Sequence, residues 1–320
     1  MTTQNVRPSL AHDESRGFDW EDAPCPMCGY DHGQVVMQAP DNDRPRDGRI
    51  FAVVECSRCR LWYTNPRPTE ATIASFYADD YRPHHSSSDR PVKTSLFRQW
   101  QSALTGRPCL ERHRLPFVGR GRLLDFGCGG GDFLRRMRED GWAVTALDTS
   151  STVINRLRDQ FNIEGHVGTL PHADLRPGRF DVITMWASLE HVHHPLAVLR
   201  AVNKLLAPGG RVYLQVHNVD SWARQRFGRH WYSLDLPRHL THFRADTLTT
   251  MLELAGLRVR TMRTLPHPSA IRKSLTLARR DGATTLANRL LGAKPLRLLW
   301  SWLGYAMEAS DHLFAMAEKT

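Results

Sequence analysis

The chain has 320 residues, of which 41% are hydrophobic, so it is long enough for one sizeable globular domain with appendages and is not a mainly disordered chain. It carries 43 basic and 33 acidic residues, a net charge of +10, and the basic residues are scattered along the chain. This excess is compatible with an anionic partner or with a simple bias toward arginine, and charge alone does not decide between them.

Residues 1–22 are predicted to form a polar tail. Asp13, Glu14 and Asp19 lie within it, and it lacks the basic start and the apolar run of a secretory signal. The longest apolar stretch, Leu298 to Met307, is much shorter than the roughly 20 residues that a membrane-spanning helix needs. A cytoplasmic location is therefore expected.

Two Cys-x-x-Cys pairs mark residues 23–65. A tight turn at each pair can direct two thiolates toward one tetrahedral ion. The four predicted ligands are Cys25, Cys28, Cys56 and Cys59. Because all four are cysteines, no coordination position is left open, and the sequence predicts a structural zinc ribbon. Arg60 stands where rubredoxin-like iron sites usually have glycine, which favours zinc over iron, while disulfides would need an oxidising compartment.

Residues 66–115 are predicted to form a helical linker or lid. Thr69 and the acid after it are residue types found at helix starts, so a short helix is expected to run through Phe76 and Tyr77. A core domain is then predicted over residues 116–266.

The segment Leu123–Leu134 has the pattern of a buried strand, a glycine turn and the start of a helix. Gly127, Gly129 and Gly131 permit positive φ and lack the Cβ that would hold a ligand away from the backbone. A dinucleotide fingerprint has glycine at the sixth position, where this chain has Asp132. The turn therefore predicts a nucleoside cofactor, and its spacing disfavours a nicotinamide-dependent oxidoreductase.

Strands and helices alternate through the rest of the core. Apolar runs predict the strands, and apolar residues at helical spacing predict the helices. Strands are predicted at 142–148, 163–167, 180–186, 257–262 and 312–317, and helices at 152–161, 196–206 and 246–256. Residues 206–216 are predicted to hold the end of a helix, a turn around Gly209 and then the fifth strand. This order predicts an α/β fold, a doubly wound Rossmann-like sheet of seven strands with its ligand at the carboxyl ends of the strands. Asp148 ends the second strand, where an acid can accept hydrogen bonds from both hydroxyls of a ribose.

Residues 267–320 are predicted to hold a helical insertion followed by the final strand. Leucines and tryptophans between 286 and 303 are interleaved with basic residues, which indicates amphipathic helices. Such helices could form a lid or an extra layer of the core, a homodimer face, or a surface that lies on a membrane and favours a lipid-linked acceptor. The sequence leaves these three possibilities open.

Four segments, in order, resemble the motifs of class I S-adenosylmethionine-dependent methyltransferases. They are Asp125–Gly131, the strand that ends in Asp148, Phe180–Val192 with its Leu-Glu-His-Val run, and Leu206–Val216. The resemblance implies S-adenosylmethionine as the cofactor, with residues 168–170 beside the adenine. The cofactor-binding residues that it implies are Asp125, Gly127, Cys128, Gly129, Gly131, Asp148, Thr149, Gly168, Thr169, Leu170 and Trp186.

Two further segments resemble zinc-containing members of that group, including sugar C-methyltransferases. The first is the ribbon with its Asn-Pro-Arg-Pro turn and Phe-Tyr-Ala-Asp-Asp-Tyr run, in which Tyr77 and Tyr81 are candidate substrate contacts. The second is the loop 231–243, which is dense in polar, aromatic and imidazole groups, as substrate loops often are. Its candidate substrate-binding residues are Trp231, Tyr232 and Arg238. Arg238 could instead pair with Asp235.

Glu190 and His191 follow the fourth core strand. A sulfonium methyl donor needs an acceptor atom held in line, and a base is needed where the acceptor loses a proton. His191 is the candidate base, and Glu190 and His239 are further candidate catalytic residues. His191 could instead contact only the cofactor, and Glu190 could only cap a turn. His193 and His194 are expected to be exposed.

The resemblance extends to ubiquinone-pathway O-methyltransferases, whose comparable segment has an additional Glu three positions before the Glu-His pair, linked to metal binding. This chain has Ala187 there, so a magnesium site at the fourth strand is not expected. The predicted reaction is methyl transfer to a small molecule or glycan precursor, at oxygen rather than carbon. The alternatives are a sugar C-methyltransferase and an RNA-binding methyltransferase that uses the ribbon. Nucleic acid is disfavoured because Trp186–Leu189 replaces the Asn-Pro-Pro-aromatic turn of base amino-methyltransferases.

Overall fold

The computed structural model describes residues 18–42, 48–77, 121–283 and 285–320. The strands are β1 (Trp20–Glu21), β2 (Gly33–Pro40), β3 (Ile50–Cys56), β4 (Trp62–Thr64), β5 (Arg67–Pro68), β6 (Arg122–Phe126), β7 (Ala143–Asp148), β8 (Glu164–Val167), β9 (Phe180–Trp186), β10 (Leu206–His217), β11 (Thr241–His242), β12 (Leu257–Leu265) and β13 (His312–Lys319). The helices are α1 (Asp132–Glu139), α2 (Ser151–Phe161), α3 (Pro195–Leu205), α4 (Trp222–Phe227), α5 (Ala245–Leu254), α6 (Pro268–Arg280), α7 (Leu286–Leu291) and α8 (Lys294–Ala306). Residues 1–17 of the predicted tail and most of the predicted linker, with Tyr81, lie outside the described residues.

Seven strands form the central sheet in the order β12-β13-β10-β9-β6-β7-β8. Neighbours are parallel from β10 through β9, β6 and β7 to β8, whereas β13 is antiparallel to both β10 and β12. The strand order changes direction between β9 and β6, and such a switch point opens a crevice at the carboxyl ends of the strands. The predicted doubly wound Rossmann-like sheet is confirmed, and α6, α7 and α8 are inserted before the last strand.

Helices cover both faces of the sheet, because its central strands are apolar along their length. On one face, Leu134 of α1 and Leu157 of α2 belong to a common buried cluster. On the other, Val198 of α3 and Met251 of α5 belong to the larger core cluster. The described helices therefore cover the two faces, and the switch point lies at the edge of the sheet among its loops.

Three strands differ from their predicted bounds because pairing with neighbours extends them. The predicted turn around Gly209 lies inside β10, which pairs with β9 at Leu206 and, after a shift in register, again from Arg211. Gly209 has a φ of +71°, which lets the chain kink there without leaving the sheet. At the other edge, β12 and β13 pair with each other from Leu257–Lys319 to Leu265–His312, beyond the predicted ends of both strands.

The N-terminal ribbon shares a sheet with part of the core. Its strands β2, β3 and β4 are antiparallel, and β11 joins them in the order β11-β4-β3-β2. In this added strand, Thr241 pairs with Tyr63, and His242 pairs with Trp62. The ribbon is thus continuous with the segment that follows β10.

Two local expectations are corrected by the structure. The helix predicted through Phe76 is a single 3-10 turn over Ile73–Phe76. The prediction that His193 is exposed is wrong: the residue is buried, its Nε2 lies 2.9 Å from the Pro68 carbonyl, and its own carbonyl accepts from Arg67 at 3.0 Å. These contacts attach the start of α3 to β5, whereas His194 is exposed, as predicted.

The predicted helices of the C-terminal insertion are present. In α8, Ser301 and Gly304 are turned toward the protein, while Leu299 and Trp300 are exposed. Among the described residues, no helix combines the length and apolar character needed to cross a bilayer.

Candidate active site and metal centre

Three turns meet at the carboxyl edge of the sheet. The Gly127 amide donates to the Leu147 carbonyl at 2.8 Å and joins the turn after β6 to the end of β7. The Gly168 amide donates to the Asp148 carbonyl at 2.9 Å and joins the turn after β8 to the same place. The structure therefore brings together segments that are separate in sequence and that carry most of the predicted cofactor-binding residues.

The turn after β6 has no room for a side chain at its first glycine. Gly127 has a φ of +69°, and a Cβ there would lie 2.6 Å from Cβ of Ser188, in the loop after β9. Gly129 and Gly131 also have positive φ, at 51° and 78°, a conformation that residues with a Cβ rarely adopt. The turn thus presents bare backbone at the switch point, as a nucleoside cofactor requires.

Two carboxylates lie next to this turn, and one of them, Asp148, bonds to it. Asp148 Oδ2 accepts from the Gly129 amide at 3.0 Å, and Oδ1 accepts from the Ser150 amide at 2.9 Å. Each oxygen keeps a second lone pair, so the carboxylate can also accept from ribose hydroxyls. Asp125 is buried below the turn and accepts from the Thr184 hydroxyl at 2.7 Å. Burial raises the pKa of Asp125 to about 7.

The remaining predicted cofactor residues flank the crevice. Thr149 and Thr169 are exposed, Gly168 is half-buried, and Cys128 and Leu170 are buried. The Trp186 ring lies 5.4 Å from that of Phe133 and 6.5 Å from that of Phe314, measured between centroids. Its indole Nε1 has no hydrogen-bond partner among the described residues. A buried N–H in this state is compatible with a bound polar ligand.

His191 is fixed by two neighbours. Its Nδ1 lies 3.0 Å from the Tyr77 hydroxyl and 3.1 Å from the Arg238 carbonyl. Since a carbonyl oxygen only accepts, we assign the hydrogen to Nδ1 and the lone pair to Nε2. Burial lowers the pKa of His191, although the neighbouring Glu190 carboxylate opposes this shift. His191 is therefore a neutral imidazole at neutral pH, and its Nε2 can accept a proton.

The loop 231–243 is built around buried polar contacts. Arg238 is fully buried and donates to Asp41 at 2.8 Å and to Asp235 at 2.7 Å. Trp231 is also buried, and its Nε1 donates to Asp311 at 2.7 Å. In this structure Arg238 and Trp231 hold the loop in shape and do not face an open space.

Tyr232 is directed toward the inserted helices. Its hydroxyl accepts from Lys273 of α6 at 2.6 Å, and its amide donates to the Ser274 hydroxyl at 2.9 Å. Of the four substrate-contact candidates within the described residues, two contact His191: Tyr77 through its side-chain hydroxyl and Arg238 through its backbone carbonyl.

Three histidines of the site, His217, His267 and His312, are not among the candidates predicted from the sequence. The His239 ring lies 4.6 Å from that of His191 and 4.8 Å from that of His217; His312 lies 4.7 Å from His217 and 4.4 Å from His267. His217 ends β10, His267 follows β12, and His312 begins the antiparallel β13, so all three lie at one edge of the sheet. Their positions at strand ends were the signal that could have revealed them.

The ribbon cysteines form a compact group of donors. All four sulfurs lie within 4.8 Å of one another. Sγ of Cys25 lies 3.4 Å from Sγ of Cys59, and Sγ of Cys28 lies 3.6 Å from Sγ of Cys56. Sulfurs about 2.3 Å from a tetrahedral ion lie roughly 3.8 Å apart, so the group fits such an ion. Arg60 adopts a φ of 63° in the second turn, comparable to the 72° of Gly29 in the first.

Class I S-adenosylmethionine-dependent methyltransferases combine a doubly wound sheet, a side-chain-free turn after the first core strand and an acid at the tip of the next, and this chain has all three. A family model described as a methyltransferase domain matches residues 98–262, slightly more than half of the chain. The chain belongs to this methyltransferase family.

Relatives with assigned names include ubiquinone biosynthesis O-methyltransferases. The protein of Aeromonas salmonicida (strain A449) is 32% identical over 153 residues, 44% of this chain and 64% of that protein. The protein of Xanthomonas campestris pv. campestris (strain B100) is 33% identical over 196 residues, 56% of this chain and 78% of that protein. The chain therefore spans less than two thirds of the first of these relatives. A solved S-adenosylmethionine-dependent methyltransferase from Mesorhizobium loti is 20% identical, with a TM-score of 0.46, over 64% of this chain and 94% of that one.

Proposed function

We propose that the protein transfers the methyl group of S-adenosylmethionine to a hydroxyl oxygen of a small molecule or glycan precursor. The observation that carries this proposal is the position of His191, a neutral imidazole directly after β9 whose Nδ1 contacts the loop 231–243. Transfer to oxygen also accords with the names of the relatives, which are O-methyltransferases.

The chain supplies positioning and a base. When bound, S-adenosylmethionine supplies a methyl group on a positively charged sulfur. The turn 127–131 offers backbone amides and free space for the donor, and Asp148 offers a carboxylate for its ribose. Holding an acceptor oxygen in line with the methyl group accounts for much of the expected rate.

His191 removes the hydroxyl proton in this proposal. The proton moves to Nε2 as the oxygen attacks, while the hydrogen on Nδ1 stays there and continues to donate to the Arg238 carbonyl, which keeps the ring oriented. Burial raises the pKa of Tyr77, so its phenol stays protonated and does not compete as a base. Tyr77 then serves as a contact for the ring and for the acceptor.

We further propose zinc as the ion of the ribbon. Four thiolates suit zinc, and a closed set of four ligands leaves no position for a substrate. The ion then stabilises the ribbon, and chemistry at the site does not pass through it.

The test compares His191→Gln with His194→Gln, a change of the exposed neighbour in the same segment. We expect His191→Gln to lower methyl transfer from labelled S-adenosylmethionine to a panel of catechols and nucleotide-linked sugars roughly 100-fold or more, because the base is lost. Both variants should bind S-adenosylhomocysteine like the unmodified protein in calorimetry. Unchanged methyl transfer in His191→Gln would refute the role of His191 as the base. If the unmodified protein gives no heat of binding with either S-adenosylmethionine or S-adenosylhomocysteine, the methyltransferase proposal itself is refuted.

A further inference from the structure

Three side chains near the proposed base face one another. Glu190 lies in the turn after β9, His217 ends β10, and His239 lies in the loop 231–243. One donor atom from each, an imidazole nitrogen or a carboxylate oxygen, lies within 4.8 Å of the other two. Three separate parts of the chain thus bring two imidazoles and one carboxylate to one point at the ligand edge of the sheet.

Glu190 has an oxygen available to a cation. The residue is 1% exposed, and its Oε1 lies 2.9 Å from Nδ1 of His217. Its other oxygen, Oε2, has no hydrogen-bond partner among the described residues. A buried carboxylate oxygen without a donor is costly, and such an atom is often explained by an ion or a water molecule.

His239 has the tautomer that metal binding requires. Its Nδ1 lies 2.9 Å from the Ser233 carbonyl, which only accepts, so the hydrogen is on Nδ1 and the lone pair is on Nε2. Histidines that bind metals usually donate their second nitrogen to a carbonyl or carboxylate in this way. The loop therefore holds Nε2 ready to act as a ligand.

We propose that Glu190, His217 and His239 bind a divalent transition-metal cation. Two imidazoles with one carboxylate suit ions such as Fe²⁺, Mn²⁺ or Zn²⁺ and leave coordination positions open. Ligand atoms about 2.1 Å from an ion lie at most about 4.2 Å apart, so separations of up to 4.8 Å require the three groups to move together by no more than about 0.6 Å.

The position of the ion suggests what it does. The His239 ring lies 4.6 Å from the ring of His191, so an acceptor hydroxyl held by the ion lies beside the proposed base. A bound cation lowers the pKa of such a hydroxyl and makes its proton easier to remove. This role rests on the proposed function, whereas the binding of the ion does not.

The test measures cobalt bound by the full-length protein with zinc in its ribbon. After incubation with Co²⁺ and gel filtration, metal analysis should find one equivalent of cobalt in addition to the ribbon zinc. Its absorption should lack the intense thiolate charge-transfer bands that a four-cysteine site would produce. This spectrum identifies nitrogen and oxygen ligands without any variant, and no methyl acceptor is needed.

Matched variants then assign the ligands. His217→Ala and Glu190→Gln should lose the cobalt equivalent, while His172→Ala, in a separate group with His166 and Asp174, should keep it. Zinc content and S-adenosylhomocysteine binding report whether each variant is folded. The proposal is overturned if the unmodified protein retains no extra cobalt, if that cobalt has thiolate bands, or if only His172→Ala removes it. Heat with S-adenosylhomocysteine in a protein that binds no cobalt would leave the methyltransferase proposal intact.

Discussion

Gly127 and Gly178 share one backbone conformation, with φ of 69° at both positions, but their surroundings differ. A Cβ on Gly127 would lie 2.6 Å from Cβ of Ser188, whereas nothing lies within 4 Å of a Cβ on Gly178. Comparing glycine-to-alanine substitutions at these two positions therefore separates two effects. One is the strain of a left-handed backbone, and the other is the loss of space in the proposed donor site.

We expect Gly178→Ala to lower the free energy of unfolding by about 1–2 kcal/mol, because it puts a Cβ in the left-handed region, and Gly127→Ala to lower it further, because its Cβ also meets Ser188. Only Gly127→Ala should also weaken the binding of S-adenosylhomocysteine, roughly tenfold or more, because its turn must move to avoid Ser188. Denaturant titration and calorimetry measure the two effects. Equal affinity in both variants would show that the turn does not hold the donor.

Arg238 shows how one residue links several elements. Its guanidinium joins Asp41, just after β2, to Asp235 in the loop 231–243. Burial alone would lower the pKa of Arg238, but the two carboxylates outweigh it and raise the pKa. The Arg238 side chain is 0% exposed, so replacing it removes a buried cation from its pairs with both carboxylates.

Arg238→Met is expected to lower the free energy of unfolding by about 3–5 kcal/mol, because it breaks a buried ion pair. The control is Arg260→Met at the pair with Glu318, where the arginine side chain is 44% exposed and the expected loss is less than about 1 kcal/mol. Urea unfolding of both variants makes the comparison. Similar losses of unfolding free energy in the two variants would mean that burial does not determine how much these two ion pairs stabilise the protein.

At the scale of elements, the pairing of β4 with β11 connects the ribbon to the histidines. The Thr64 hydroxyl donates to the His239 carbonyl at 2.7 Å and lies 3.1 Å from Nε2 of His242. The Leu240 amide, between these histidines, donates to the Glu190 carbonyl at 2.8 Å. A change in the ribbon can therefore reach His239 and Glu190 through these hydrogen bonds.

Removing the proposed ribbon zinc with a thiol reagent should raise amide hydrogen exchange in residues 239–243 and lower methyl transfer, because β4 loses its support. The turn at 127–131 should keep its protection, since it hydrogen-bonds to β7 and not to the ribbon. Hydrogen-exchange mass spectrometry with metal analysis tests this. Unchanged exchange at 239–243 in metal-free protein would contradict the coupling.

At the scale of the whole molecule, buried histidines make the folding stability depend on pH in the acid range. Burial lowers the pKa of His191, His193 and His239, and it lowers that of His242 to about 3. In the unfolded chain these groups titrate near about 6.5, so below that pH the unfolded state binds more protons and stability falls. The buried Asp125 and Asp311 have raised pKa values and act in the opposite direction, but they are fewer.

The melting temperature should therefore be lower at pH 5.5 than at pH 7.5. His242→Gln keeps an amide that can bond to the Thr64 hydroxyl and should weaken this dependence by up to about 1.4 kcal/mol per pH unit. Thermal unfolding of both proteins, with zinc content measured at each pH, separates histidine protonation from loss of the ribbon metal. A variant with the same pH dependence as the unmodified protein would contradict the assignment.

Sequence alone determined the features that depend on neighbouring residues. The glycine turn, the acid at the tip of β7, the alternation of strands and helices and the paired cysteines are all local patterns, because spacing and apolar periodicity act over a few residues. Strand ends were less accurate, since pairing between β12 and β13 extends both strands beyond their apolar runs.

Tertiary structure alone decided which loops meet. His217 lies 27 residues from Glu190, and Arg238 lies 197 residues from Asp41, yet each pair is in contact. The order of the strands in the sheet brings these loops to one edge, and β11 joins the ribbon only after the chain has folded back on itself. Contacts between residues that are distant in sequence depend on how the whole chain folds. No local sequence pattern predicts them.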